Sequence, residues 1–185
     1  MNTTSKHWAA LEHLICYMRG TMNKALVLDL VGKARMLEVY VDVNWGGEGS
    51  RSQHGFIGFL LGLLVVWNSK RQTCVASSTC QAEYMAMSFA VRAGMWISQC
   101  VTPITARITP ILLLHNQLAV KIANDSGSRK NLRHIKREFH LINEMIVNNK
   151  VTIKWITTRE QKADIFTKKQ AKVKVDDEFC KGLLV

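Results

Sequence analysis

Three features of this sequence predict an α/β fold, a mixed sheet with helices packed on its faces. The stretch "LEVYVDVNW" at 37–45 alternates strictly, as a strand with one apolar face does. Two apolar runs follow with a tight turn between them. From residue 76 onward, helical and strand patterns take turns, so the later strands need helical connections between them. The element order reads helix, then β-β-β-α-β-α-α-β-α.

The first helix is expected in "HWAALEHLICYMR" at 7–19, where Trp8, Leu11, Leu14, Ile15 and Met18 recur at helical spacing and Gly20 offers a C-cap. In the first strand Leu37, Val39, Val41 and Val43 share one face, and Glu38, Tyr40 and Asp42 share the other. "HGFIGFLLG" and "LLVVWNSK" predict an antiparallel hairpin turning at Gly62. "CQAEYMAMSFAVRAGMWISQCV" predicts a long amphipathic helix, with Ala82, Met85/Ala86, Phe89, Ala93, Trp96/Ile97 and Cys100 inward and Ser78 or Thr79 as N-cap. Pro103 and Pro110 bracket a loop. "ILLLH" is apolar throughout until His115, as a buried parallel strand would be.

"QLAVKIAN" predicts a short helix ending near Gly127, and "LRHIKREFHLINEMIVNN" a longer one with Leu132, Ile135, Phe139, Ile142 and Ile146 inward. "KVTIKWI" alternates as a strand, and "ADIFTKK" is expected to start a terminal helix. Trp45, Trp67, Trp96 and Trp155 alternate with core positions and are expected to pack.

The chain of 185 residues carries a net charge of +11, unevenly: nine Lys and Arg lie in residues 1–100 and sixteen in 101–185. A basic half points to a polyanion, with nucleic acid as the leading partner and solubility as the plain alternative. The five cysteines form no CxxC pair, which excludes a disulfide framework or a zinc finger and predicts buried thiols in a reducing compartment. Glu12 and His13 interrupt the only N-terminal stretch that could serve as a signal peptide, and "FLLGLLVVW" is too short to span a bilayer. The expected location is intracellular, cytoplasmic or nuclear, with no membrane partner.

Acidic residues number 14, so their positions carry information. Asp42 lies inside a strand, Glu83 in the first turn of the long helix and Asp164 at the start of the last one. Each is a carboxylate in apolar sequence, where an unpaired charge is costly. A shared hard cation such as Mg²⁺ would offset that cost if the fold brought the three together. Taken singly, Glu83 and Asp164 also read as helix N-terminal charges, and Asp42 as a strand-end hydrogen-bonding group.

The blocks "YVDVNWGG", "WNSKRQTCVASSTCQAEYMAMSFAVRAGMW", "LLLHNQLAVKIAND", "RHIKREFHLI" and "REQKADIFTK" resemble, in order and spacing, the ribonuclease H domain of copia-type LTR-retrotransposon polyproteins. "HWAALEHLICYMRGT" is similar to the end of the preceding reverse transcriptase. The resemblance runs from about residue 7 to about residue 170 and is weaker in the tail. It implies a ribonuclease H-like, five-stranded mixed sheet, three antiparallel strands then two parallel, with helices on both faces. It divides the chain into a reverse-transcriptase remnant at 1–36, a ribonuclease H-like domain at 37–170 and a C-terminal tail at 171–185. It further implies an endonuclease that hydrolyses the RNA strand of RNA–DNA hybrids, with two divalent ions held by four acids. Asp42, Glu83 and Asp164 match three of those acids, as catalytic residues and metal ligands.

The fourth position departs from the pattern. The family shows Asp before "NQ", and this chain has His115. A neutral imidazole brings no negative charge, and a protonated one repels cations, so the expected result is impaired catalysis. The alternative reading keeps activity through a softer ion, Mn²⁺ or Zn²⁺, for which imidazole is a good ligand. Asn44, Gln81 and Lys136 also replace acids of the family pattern, as a decayed element copy would show. Lys121, Arg129, Lys130, Arg133, Lys136 and Arg137, with Lys150, Lys154, Arg159 and Lys162, could track phosphates, or form a solvated face. His134 and His140 lie six apart and share no helix face. Two further readings stand beside the enzyme: a non-enzymatic RNA- or DNA-binding module, and a retroelement fragment without function.

Overall fold

A computed structural model describes residues 4–26, 36–47, 49–125 and 136–168. The described elements fall into two units, one with the first helix and one with the sheet. Helix α1 is Ser5–Thr21, one turn longer than its apolar spacing suggests. Thr4 caps it: its backbone N–H donates to His7 Nδ1 at 3.1 Å. Gly20 lies inside the last turn rather than terminating it. Trp8, Leu11, Leu14 and Ile15 are exposed along it.

The second unit is a five-stranded sheet in the order β3-β2-β1-β4-β5. Strands β1 (Leu37–Asn44), β2 (Gln53–Leu60) and β3 (Leu63–Arg71) form an antiparallel meander. Leu61 and Gly62 turn the hairpin with φ of 55° and 87°, the paired positive angles that match the twist of a two-residue turn. Strand β4 (Pro110–Leu114) adds parallel to β1, and β5 (Thr152–Trp155) parallel to β4. Helix α2 (Thr79–Val101) precedes β4, and α3 (Gln117–Asn124) and α4 (Lys136–Val147) lie between β4 and β5. Leu132 and Ile135, expected to face inward, lie outside the described residues, whereas Phe139 and Ile142 are buried as expected.

One core joins Leu37, Val39, Val41, Leu112, Leu114 and Ile153 of the sheet to apolar residues of α2, α3 and α4. The alternation of β1 dictates which side this is, because the valines point one way and Tyr40 and Asp42 the other. On α2 the buried stripe runs through Glu83, Met87, Ala90, Gly94 and Ile97. Gly94 permits the close approach: a Cβ there would stand 3.0 Å from Pro110 Cβ and 3.5 Å from Val39 Cγ2. The start of α2 therefore lies toward the far, carboxyl ends of β1 and β4.

The opposite face carries no long helix among the described residues. A 3-10 segment, Lys162–Phe166, packs there against β1 and β2. This corrects the expected terminal helix, which within the described residues is one 3-10 segment. Tyr40 and Phe59 meet edge to face beneath it, with the Lys162 ammonium 4.9 and 4.4 Å from their ring centres.

Two further expectations fail. Trp45, Trp67, Trp96 and Trp155 are 37%, 56%, 60% and 45% exposed, so none is a core residue. Cys16, Cys74 and Cys100 are exposed rather than buried.

Candidate active site at the carboxyl ends of β1 and β4

Parallel register brings the first two groups together. Tyr40 of β1 pairs with Leu113 of β4. Two residues further along each strand, on the same face, stand Asp42 and His115. His115 Nδ1 lies 3.3 Å from Asp42 Oδ1, yet neither atom has a hydrogen-bond partner among the described residues. Asp42 is fully buried, and the His115 side chain is 25% exposed. The apolar run that ends in histidine thus delivers a ring to a buried carboxylate.

Glu83 arrives from the other side. Ser78 caps α2 by accepting from the backbone N–H of Gln81 at 3.2 Å, which fixes where the first turn begins. Gln81 Oε1 in turn accepts from the Ser77 backbone N–H and hydroxyl, both at 2.8 Å. Glu83, on the buried stripe, accepts at Oε1 from Asn116 Nδ2 at 3.2 Å. Asn116 also caps α3, its Oδ1 accepting from the Ala119 backbone N–H at 3.1 Å. One amide therefore starts a helix and holds a buried acid.

Asp164 comes from the 3-10 segment, which several polar ties hold against the sheet. Gln161 donates to the Val41 carbonyl at 2.8 Å and caps the segment through Ala163 N–H at 3.1 Å. Ser69 Oγ donates to the Phe166 carbonyl at 2.6 Å, and Asn44 Nδ2 to the Thr167 carbonyl at 3.3 Å. The Thr167 hydroxyl donates to Asp42 Oδ2. Gly55, opposite Asp42 in the β1–β2 register, makes room: a Cβ there would stand 2.4 Å from Phe166 Cβ.

Four residues that the sequence singles out thus converge: Asp42, Glu83, His115 and Asp164. A fifth, Lys168, closes the block "ADIFTK" and has no role that the sequence alone reveals. Its ammonium is 2.8 Å from Asp164 Oδ1 and 3.6 Å from Asp42 Oδ2.

The electrostatics follow from burial. Burial raises the Asp42 carboxyl above the usual range. The Thr167 hydrogen bond and Lys168 oppose that shift, Asp164 adds to it and His115 opposes it. Burial pushes Glu83 up to about 7, against the Asn116 hydrogen bond and with help from Asp42. For Lys168, burial works against the charge, but the bond to Asp164 and the field of Asp42 outweigh it and raise the pKa. Cation and acids therefore stabilise one another.

The resemblance implies two divalent ions here, and the side chains as placed do not fit that group. A lysine ammonium stands between two of the three carboxylates, and the fourth acid is an imidazole. Among the described residues no three His, Cys, Asp or Glu side chains are arranged to hold a metal ion. The basic set is only partly in view. Lys121 and Arg137 are exposed on α3 and α4, whereas Arg129, Lys130 and Arg133 lie outside the described residues.

Gly55, Gln161, Asn116 and Thr167 also serve the site, and sequence reasoning misses them. The only signal for Asn116, Gln161 and Thr167 is membership of the resembling blocks, as with the Asn of "NQ".

No protein-family model matches the chain. The retrovirus-related Pol polyprotein from transposon TNT 1-94 of Nicotiana tabacum is 28% identical over 186 residues, covering 99% of this chain and 14% of that protein. That from transposon RE1 of Arabidopsis thaliana is 27% identical over 169 residues, covering 89% of this chain and 12% of that protein. The chain's homologues are retrovirus-related Pol polyproteins from transposons. It spans about one seventh or less of their length. Secreted RxLR effector protein 161 of Plasmopara viticola is 36% identical over 94 residues, half of this chain and 66% of that protein.

Among solved structures, LC11-RNase H1, isolated from compost, superposes with a TM-score of 0.59 at 14% identity, covering 72% of this chain and 93% of that one. Its complex with an RNA/DNA hybrid gives 0.57 at 15% identity over 70% of this chain and 92% of that one. The sheet unit has the ribonuclease H fold. Among the described residues no helix is long and apolar enough to cross a membrane.

Proposed function

We propose that residues 37–170 form the ribonuclease H-like domain of a retrotransposon Pol polyprotein, with 1–36 derived from the reverse transcriptase and 171–185 a tail. The domain engages RNA–DNA hybrids, and its hydrolysis of the RNA strand is impaired. The homologous Pol polyproteins and the ribonuclease H fold support the first statement. One fold neighbour, LC11-RNase H1, was solved in complex with an RNA/DNA hybrid, and this chain's +11 charge suits the same partner.

The single observation that carries the impairment is His115 facing Asp42 at 3.3 Å. The register of β1 and β4 puts a side chain there whatever its identity, so the histidine sits at the site without supplying a carboxylate. Asp42, Glu83 and Asp164 remain as the catalytic set, and Mg²⁺ or Mn²⁺ as the cation the reaction would take. Asn116 and Thr167 act as positioning residues through the carboxylates they touch. Trp155 Nε1 donates to the His115 carbonyl at 3.0 Å and fixes the backbone on which the imidazole is carried.

Cleavage of a labelled RNA–DNA hybrid, in Mg²⁺ and separately in Mn²⁺, tests the reading with Asp42→Asn as the blank. The expected result is hybrid binding that weakens steeply with added salt, with cleavage at or close to the blank in Mg²⁺. Vigorous cleavage in Mg²⁺ contradicts impairment. Binding that is absent, or indifferent to salt, contradicts the nucleic-acid role.

A further inference from the structure

Of the exposed tryptophans, two stand at the end of the sheet that carries the acids. Trp45 follows β1 directly, and Trp155 is the last residue of β5. Because β1, β4 and β5 run parallel, both lie at the carboxyl ends of their strands, as Asp42 and His115 do. The strand order sets β5 two strands from β1, about 10 Å at the ordinary spacing. Trp67, by contrast, is level with Tyr40 in mid-sheet, and Trp96 lies in the last turns of α2.

Both indoles at the strand ends are tied inward by their one polar atom. Trp155 Nε1 donates to the His115 carbonyl at 3.0 Å, and Trp45 Nε1 to the Ala76 carbonyl at 3.4 Å. Ala76 stands two residues before Ser78, the cap of the helix that carries Glu83. Each ring is thus fixed to a segment that delivers a site residue, and the surface it offers to solvent is apolar. The carboxyl ends of parallel strands are where α/β sheets receive ligands, and a fixed aromatic there suits a flat one.

Cations stand beside both rings. Arg51 packs its backbone against Gly46, next to Trp45, and exposed Arg71 ends β3 on the same side. Lys154 and Arg159 are exposed around Trp155. Glu160, an exposed acid of that loop, is already engaged by the Thr157 hydroxyl and backbone N–H. Aromatic faces among cations suit a nucleic-acid strand, the rings taking bases and the cations phosphates. A duplex hides its bases within the stack, so an indole takes a base only from an unpaired stretch.

We propose that Trp45 and Trp155 are stacking platforms for unpaired nucleobases flanking the acid cluster, so that the domain prefers a hybrid that continues into single strand over a blunt one. This rests on the reading of the domain as hybrid-binding, and it needs no metal ion.

Fluorescence anisotropy of labelled oligonucleotides, with the full chain in EDTA, tests the proposal. The probes are a blunt RNA–DNA hybrid, the same hybrid with an unpaired RNA extension, and the unpaired RNA alone. The extended hybrid is expected to bind about tenfold more tightly than the blunt one, the scale of one stacked base. Trp155→Ala and Trp45→Ala should each reduce that preference and leave blunt affinity unchanged. Trp155→Phe, which keeps a ring and loses the bond to His115, should retain most of it. Trp96→Ala should change nothing. Equal binding of the two hybrids by the unaltered chain overturns the proposal. So does a loss in the alanine variants that falls equally on both hybrids, the mark of a structural role.

The hybrid reading and the stacking fail separately. Salt-sensitive binding of both hybrids alike overturns the stacking and leaves the hybrid reading intact. Trp155-dependent binding of the unpaired RNA, with none of the blunt hybrid, supports the stacking and contradicts the hybrid reading.

Discussion

The two faces of β1 are made by the same eight residues and obey opposite rules. On one side Val39 and Val41 join Leu112 and Leu114 beneath α2 in a largely apolar layer. On the other, two residues beyond Tyr40, Asp42 is buried among His115, Thr167 and Lys168. The first face contributes stability through apolar burial. The second consumes some, because buried carboxylates cost more than their hydrogen bonds return. A domain that carries both keeps most of its apolar core and most of its site on separate sides of one strand, with Glu83 reaching the site from the α2 side, and substitutions should sort accordingly.

The largest effect is expected on the apolar face. Leu112→Ala, at a fully buried position, should destabilise the fold by about 3–4 kcal/mol through lost burial and a residual cavity. Urea unfolding measures it, and a loss below about 1 kcal/mol would mean that the sheet is not anchored there.

The buried acids should respond with the opposite sign. The Glu83 pKa is pushed up to about 7 from an ordinary 4.5, mainly by burial. A raised folded-state value means that the folded chain prefers the protonated acid. Stability from this group is present below about pH 4.5 and lost as pH rises through about 7. Glu83→Gln removes that loss and should stabilise the chain by about 2–3 kcal/mol at pH 8, and hardly at all at pH 4. Denaturant midpoints at the two pH values check this, and destabilisation at pH 8 would contradict it.

Gly55→Ala probes the junction between the strand and its 3-10 segment. The added Cβ collides with Phe166, so the segment must move, at about 1–3 kcal/mol. The signature is local: amide shifts at Asp164 and Thr167 should change while those of α2 and α4 stay. An effect spread over the whole core would argue that the two faces are not independent.

The smallest effect concerns His54, buried and stacked on Phe89 at 4.7 Å. Burial, then the nearby Lys70, lowers its pKa. The folded chain thus prefers the neutral ring, and stability is lost as pH falls from about 6.5 through the lower folded value. His54→Phe should flatten that acid limb of the stability profile and leave the region above pH 7 unchanged.

How much of this is legible in the sequence varies with the kind of signal. Strict alternation places Asp42 on the face opposite the valines, because a period of two admits only two sides. The break from "ILLL" to "HNQ" locates the strand end and hence His115. The long helix is legible too: Ala82, Met85, Ala86 and Ile97 are buried as expected, whereas Gly94 is buried unexpectedly and Trp96 and Cys100 are exposed. Trp67 is exposed for a different reason: it belongs to β3, the edge strand of the sheet.

The 3-10 segment reads as a helix start because what holds it is tertiary. Its contacts run to Val41, Asn44 and Ser69, each more than 90 residues away, and local propensity contains none of them. Lys168 is invisible in sequence because its role needs that docking. A lysine four residues after an aspartate is ordinary. It becomes a counter-ion only when a third residue, Asp42, is delivered to the same point.

The most direct measurement of the central claim is hybrid cleavage by His115→Asp beside the unaltered chain, at saturating Mn²⁺, with hybrid affinity recorded for both. An assembled site that lacks one carboxylate should gain cleavage well above the unaltered chain, with affinity nearly unchanged or slightly weaker. A folded His115→Asp that binds hybrid and cleaves no better than Asp42→Asn would contradict the account.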